Sequence, residues 1–306
     1  MNKEASPNFF IIGAPKCGTS ALSRYLSEHT NVYLSKPKEP YYFADDYPKM
    51  RELLSGIDTF SKYLGLFKDV GKEHLAIGEA STIYLYSSDA PRNIFKFNPQ
   101  SQIIVMVRNP IELVQSFHSQ LLRFQIEDQE DFETAWKLQK FRIAGSNLPR
   151  NYLDIKLLQY SQWGKMGERI EKLFDLFKPE QVKIVIFDEF TSDTRKVYND
   201  VLSFLNVKRD DRADFLKINP NAKYRFPKVA FRLIQMRRSS SYRRISGMFR
   251  ALTNIGPYEL FDKLNRVEYA RKPLTNEFRK ELSDEFENDV KLLSTIVDKN
   301  LDAWLE

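Results

Sequence analysis

Of 306 residues one is cysteine, Cys17, and only three are histidine. A single thiol excludes an internal disulfide framework and a metal site built from cysteines. No run of about 18 apolar residues occurs, so no segment reads as a membrane-spanning helix. The opening stretch "MNKEASPNFFIIGAPK" has too short an apolar run for a secretory signal and leads into a glycine turn. It reads as a first strand, and without an export signal a reducing cytoplasm is the expected location. Acidic residues are missing from Lys223 to Arg250, where nine basic ones stand (Lys223, Arg225, Lys228, Arg232, Arg237, Arg238, Arg243, Arg244 and Arg250). The chain carries a net charge of +6, which leaves the remainder near −3. The positive field is therefore local and points to an anionic ligand or surface.

What is present suffices for a core: 42% of residues are apolar and 13% aromatic. Short continuous apolar runs at Phe9–Ile12, Val32–Ser35, Leu75–Glu79, Gln102–Val107 and Gln181–Phe190 fit buried parallel strands. Helical periodicity falls between them, at Thr19–His29, Asp58–Phe67, from Pro110 onward, Asp131–Phe141, Tyr160–Phe177 and Asp193–Leu205. After the Asn219-Pro220 turn the chain reads as helical, ending in a long helix over Asn276–Leu305. This alternation predicts an α/β fold, a parallel sheet of about five strands flanked by helices, with a helical part following it. Ligands of such sheets collect at the carboxyl ends of the strands. The positions selected are the loop after Ile12, the residues after Leu34, Glu79 with its followers, and Arg108.

The loop reads Gly13-Ala14-Pro15-Lys16-Cys17-Gly18-Thr19-Ser20. Glycines permit backbone conformations closed to other residues, and amides gathered at a helix N-terminus stabilise anions. Lys16 adds a full charge, and Thr19 and Ser20 add hydroxyls. A triphosphatase loop places its lysine after the last glycine; here Lys16 sits inside the loop. An ordinary glycine turn is the alternative for such a loop taken alone. In "VMVRNPIELVQSFHSQ", Arg108 ends a buried strand and Ser116 follows two turns into the next helix. Arginine binds phosphate bidentately, whereas a triphosphatase would place a magnesium-holding acid at such a strand end. Two separated anionic groups on one ligand, and no metal, are the expectation.

These two stretches resemble the sulfotransferases that use 3′-phosphoadenosine 5′-phosphosulfate (PAPS). "GAPKCGTSAL" is similar to that family's 5′-phosphosulfate loop, and "VRNPIELVQSFHSQ" to its 3′-phosphate element, with Arg108 and Ser116 on the matching positions. "KPKEPYYF" and "IGEASTIYLYS" resemble the carbohydrate branch, heparan-type enzymes and bacterial relatives included. The resemblance implies one sulfotransferase domain over residues 1–306, with a helical extension from about 228. It implies donor binding by Pro15, Lys16, Cys17, Gly18, Thr19, Ser20, Arg108 and Ser116. Lys223 and Arg225, in "KYRFP", are assigned to a late loop over the 3′-phosphate and adenine, although the family's glycine is Tyr224 here. Catalysis is assigned to Lys16, to Glu79 as general base and to Lys38 as its neighbour.

The implied reaction moves a sulfuryl group to a hydroxyl of a carbohydrate or other small-molecule acceptor and leaves adenosine 3′,5′-bisphosphate. A P-loop kinase and a non-catalytic nucleotide-binding module are the alternatives. No nucleic-acid reading motif is present. The basic stretch 237–250 is either a solvated helix face or a contact with an anionic surface. Cys17 has no histidine near it in sequence, His118 reads as a packing or substrate-edge residue, and Tyr41, Tyr42 and Phe43 read mostly as core.

Overall fold

A computed structural model of the chain describes residues 6–216, 222–236, 240–253, 255–268 and 271–306. They fall into two compact units, one drawn from Met1–Leu113, Ser161–Ile218 and Lys280–Glu306, the other from Val114–Tyr160 and Asn219–Arg279. The Asn219-Pro220 turn, Arg237 and Arg238 lie outside the described residues.

The first unit is built on a five-stranded sheet in the order β2-β3-β1-β4-β5. Its strands are β1 (Phe9–Gly13), β2 (Val32–Leu34), β3 (Ala76–Ala80), β4 (Gln102–Val107) and β5 (Val182–Ile186). Every neighbouring pair is parallel, as the apolar runs predict. Phe9, Phe10, Ile11, Ile103, Ile104 and Val105 are wholly buried, because a central parallel strand is covered on both faces. The β1–β4 register slips between Ile11 and Gly13, so one extra residue enters just before the glycine loop. The helix Thr19–Ser27 returns along the sheet with Ala21, Leu22, Tyr25 and Leu26 buried.

Three elements depart from the periodicity. The apolar run at Gln181–Phe190 leaves the sheet at Ile186, and Phe187–Ser192 is helical. The stretch Tyr160–Phe177 breaks into helices at Tyr160–Gly164 and Met166–Leu173. At the break a β-carbon on Gly164 would collide with the Phe286 ring, and Asp289 accepts the amides of Gly167 and Glu168, each at 2.8 Å. The long helix stops at Val297, and Asp302–Trp304 forms a separate turn.

In the second unit Glu127 is completely buried and accepts both arms of the Arg142 guanidinium, at 2.6 and 2.8 Å, and the Tyr160 hydroxyl at 2.6 Å. Pairing of this kind is the condition for burying a charge. A short antiparallel strand pair that the periodicity does not announce joins β6 (Ala222–Tyr224) to β7 (Arg266–Glu268). Helices occupy Pro227–Met236, Ser240–Thr253 and Pro257–Asn265.

Candidate active site

The carboxyl ends of β1 to β5 bring the selected loops to one sheet edge. After β1 the Ala14 amide donates to the Met106 carbonyl at 2.7 Å, which ties the loop to β4. Lys16 and Gly18 then take positive φ values of 68° and 88°. A β-carbon on Gly18 would stand 3.2 Å from the Phe187 ring, so both the turn and the close approach require glycine. Gly18 caps the following helix without any side-chain hydrogen bond. The first amides of that helix are thus left to a ligand or solvent.

Lys38, from the segment after β2, reaches this loop. Its Nζ lies 3.1 Å from Ser20 Oγ, 3.5 Å from Thr19 Oγ1 and 3.4 Å from Glu39 Oε1. Glu39 itself has φ 61° and its amide donates to the Ala80 carbonyl at 2.9 Å. Its carboxylate accepts from Thr82 Oγ1 at 3.1 Å and from the Tyr41 hydroxyl. The Glu39 side chain is 28% exposed. An accessible acid therefore stands one side chain away from the glycine loop.

Glu79, expected as an ionised general base beside Lys16 and Lys38, is differently placed. It is 0% exposed. Burial raises its carboxyl to about 8, against the opposing hydrogen bonds from Tyr84, Tyr63 and Ser81. Tyr63 Oη and Ser81 Oγ each lie 3.3 Å from its oxygens. Ser81 Oγ also accepts the Tyr41 amide, and Tyr84 Oη accepts the Phe43 amide, each at 3.2 Å. Glu79 thus anchors residues 41–43 from below, and Lys38 contacts Glu39 rather than Glu79. Tyr41 and Phe43 are core, as expected, and Tyr42 stacks on Tyr63 with centroids 4.5 Å apart.

Arg108 follows β4. Its Nη1 donates to the Lys16 carbonyl at 3.3 Å, and its Nε donates to Glu112 at 2.9 Å. The guanidinium lies over the Phe187 ring, 4.5 Å from the centroid. Phe187 thus touches both Arg108 and Gly18. Neither Glu39 nor Phe187 is marked by the loop motif; an acid next to Lys38 in "KPKEP" is the one sequence signal for the former.

The remaining assignments lie in the second unit. Ser116 is buried on the helix Pro110–Arg123. Lys223 pairs with Val267 in the antiparallel strand pair, and Arg225 is exposed just beyond it, its amide donating to the Asn265 carbonyl at 2.9 Å. His118 is 3% exposed, meets the Gln129 carbonyl at 2.8 Å and packs against Phe132 and Tyr160. Burial lowers its pKa, which fits a packing role. In the first unit Pro15 and Cys17 are buried. Burial pushes the Cys17 thiol far up despite the nearby charges of Arg108 and Lys16. Among the described residues no group of histidine, cysteine and carboxylate side chains is arranged to hold a metal. Nor is any helix among them long and apolar enough to cross a membrane.

Comparison with known proteins identifies the family. The family model of the sulfotransferase domain matches residues 6–226. A crystal structure of a sulfotransferase from Alicyclobacillus acidocaldarius superposes with a TM-score of 0.72 at 27% identity, covering 99% of this chain and 100% of that one. The human bifunctional heparan sulfate N-deacetylase/N-sulfotransferase 3 is 24% identical over 203 residues, 66% of this chain and 22% of its own length. Human carbohydrate sulfotransferase 15 is 25% identical over 253 residues, covering 66% of this chain and 44% of its own. The chain thus spans less than half of either curated relative. With the profile covering most of its length, and the loop, Arg108 and parallel sheet in place, the chain belongs to the sulfotransferase domain family.

Proposed function

We propose that this chain transfers a sulfuryl group from PAPS to a hydroxyl of a carbohydrate or glycosylated small molecule. The observation that carries the reading is the junction of the glycine loop with Arg108. A lysine-bearing anion cradle meets a guanidinium across the Lys16 carbonyl, where a magnesium-dependent enzyme would carry an acid. The residues present fit an anionic donor: Lys16 and Lys38 supply charge, Thr19 and Ser20 hydroxyls, and the uncapped helix start its amides. The carbohydrate acceptor is supported by relatives named for heparan sulfate and carbohydrate. Incubation with ³⁵S-labelled PAPS and a panel of sugar acceptors tests the reading. Label on an acceptor without added magnesium is the expected result, and ATP-dependent, magnesium-dependent transfer would replace it with a kinase.

PAPS supplies the sulfuryl group and a phosphate leaving group. Lys16 and the loop amides stabilise the negative charge that grows during transfer, a contribution that is largest where it is preorganised. Lys38 holds the loop hydroxyls and Glu39 in one arrangement. We assign the general base to Glu39, because a base must reach the acceptor hydroxyl and Glu39 is the accessible carboxylate joined to the loop through Lys38. Glu79 becomes a neutral strut for the segment that carries Glu39. Arg108 takes the donor's 3′-phosphate. Ser116, Lys223 and Arg225 take the 3′-phosphate and adenine by sequence resemblance alone.

The basic stretch is assigned to an anionic surface. Arg232 and Arg244 are exposed, as are Met236, Ile245 and Met248, at 54%, 61% and 66%. Cationic and apolar groups exposed together on helices suit a charged lipid headgroup layer.

A further inference from the structure

Arg108 gains its orientation from neighbours that converge on one distant residue. Asn109 follows Arg108, and its Nδ2 donates to the Trp304 carbonyl at 2.8 Å. Asp188 follows Phe187, and its Oδ2 accepts the Trp304 indole N–H at 2.8 Å. Trp304 is therefore bonded to the turn after β4 and to the first turn of the helix that follows β5, the two segments that flank the guanidinium. The other end of the Asn109 amide is also used, since Oδ1 accepts the Ile111 and Glu112 amides at 2.9 and 3.3 Å. One amide thus starts the helix that presents Glu112 to Arg108, and the Trp304 carbonyl fixes that amide's orientation.

Trp304 is 6% exposed. Its turn is fastened in turn: Ser283 donates to the Leu305 carbonyl, and Lys299 pairs with Glu189 on the helix that Phe187 begins. A buried tryptophan must find partners for its indole N–H and its carbonyl, so what matters is which residues supply them. Here the backbone N–H stays within its own turn, on the Leu301 carbonyl at 2.9 Å, while the carbonyl and the indole N–H go to residues adjacent to the arginine and to the ring beneath it. Residue 304 also lies far outside the segment 6–226 shared with the family.

We infer that Trp304 is a positioning residue for the donor's 3′-phosphate, holding Arg108 in register between the Phe187 ring and the Lys16 carbonyl. The inference rests on the assignment of Arg108 to that phosphate. A planar guanidinium recognises phosphate through a fixed fork, so its angle matters as well as its charge.

Calorimetric titration with adenosine 3′,5′-bisphosphate and with adenosine 5′-phosphate separates the possibilities. Trp304→Phe removes the indole donor and should weaken the bisphosphate about five- to tenfold, the effect of one lost hydrogen bond, while leaving the monophosphate within about twofold. Asp188→Ala should reproduce this loss and Asp188→Asn, which keeps an acceptor, should restore affinity; this pair decides the matter if Trp304→Phe does not fold. Arg108→Ala serves as reference and should lose the bisphosphate more severely than either. Equal losses for both nucleotides, or none, in the Trp304 and Asp188 variants overturn the positioning role while Arg108→Ala still discriminates. An Arg108→Ala protein that weakens both nucleotides alike overturns the assignment of Arg108 itself.

Discussion

Lys38 Nζ lies 3.1 Å from Ser20 Oγ, so one ammonium links the loop after β1 to the acid after β2. The proposed base and the proposed anion cradle are thereby placed within a single side chain of each other. The division of labour between Glu39 and Glu79 follows from which of them can be reached.

Glu39→Gln keeps the shape and removes the base. Turnover should fall roughly 10²–10⁴-fold, the usual contribution of a positioned base, with affinity for adenosine 3′,5′-bisphosphate near that of the unaltered protein. Glu79→Gln preserves a hydrogen-bonding amide in the buried site and should cost under about tenfold. Rates with labelled PAPS on both variants check this, and the reverse order of losses returns the base to Glu79.

Lys16→Ala should lower the chemical step far more than donor binding, because its charge sits in the loop where the bond breaks. Single-turnover rates and calorimetric affinity measured on the same preparation distinguish the two. A large loss of affinity with an intact chemical step reduces Lys16 to an anchor.

Glu79 also sets a pH dependence of stability. Its carboxyl is raised by burial from 4.5 to about 8, so between those values the folded chain binds a proton that the unfolded chain has released. The stability this group confers is fully present below about 4.5 and is lost as pH rises toward 8. Urea unfolding of the Glu79→Gln variant should therefore show its stability rising, relative to the unaltered protein, from acid to mildly alkaline pH. A pH-independent difference between the two proteins would place the Glu79 carboxyl in its ordinary range.

The exposed apolar side chains Ile245 and Met248 give the surface assignment its test. The protein should sediment with vesicles of phosphatidylcholine and phosphatidylserine, and not with phosphatidylcholine alone. Ile245→Glu with Met248→Glu should abolish this while leaving nucleotide affinity intact. Binding that ignores lipid charge, or its absence, removes the surface from the scheme.

The sheet was legible because central parallel strands are continuous buried runs, and Phe9–Gly13 and Gln102–Val107 carry no other plausible pattern. The loop was legible because Gly18 meets a positive φ and an aromatic ring at once, leaving glycine no substitute. The burial of Glu79 was not legible, because a strand's end locates a residue in sequence without saying which layer its side chain enters; Tyr63 and Tyr84 surround it here. Glu39 was hidden in an aperiodic segment whose backbone is held by β3. The split of Tyr160–Phe177 depends on Phe286, and the support of Asn109 on Trp304, contacts that no local pattern encodes.

Cys17 is wholly buried, its thiol near the Pro15 carbonyl and driven toward the neutral form. Only a thiolate attacks an alkylating reagent at speed, so the folded loop shields its own sulfur. The lone thiol is thus a built-in reporter of loop opening. Iodoacetamide should label it at a rate proportional to the fraction of molecules whose loop is open, and adenosine 3′,5′-bisphosphate should slow that labelling in proportion to how firmly it closes the loop.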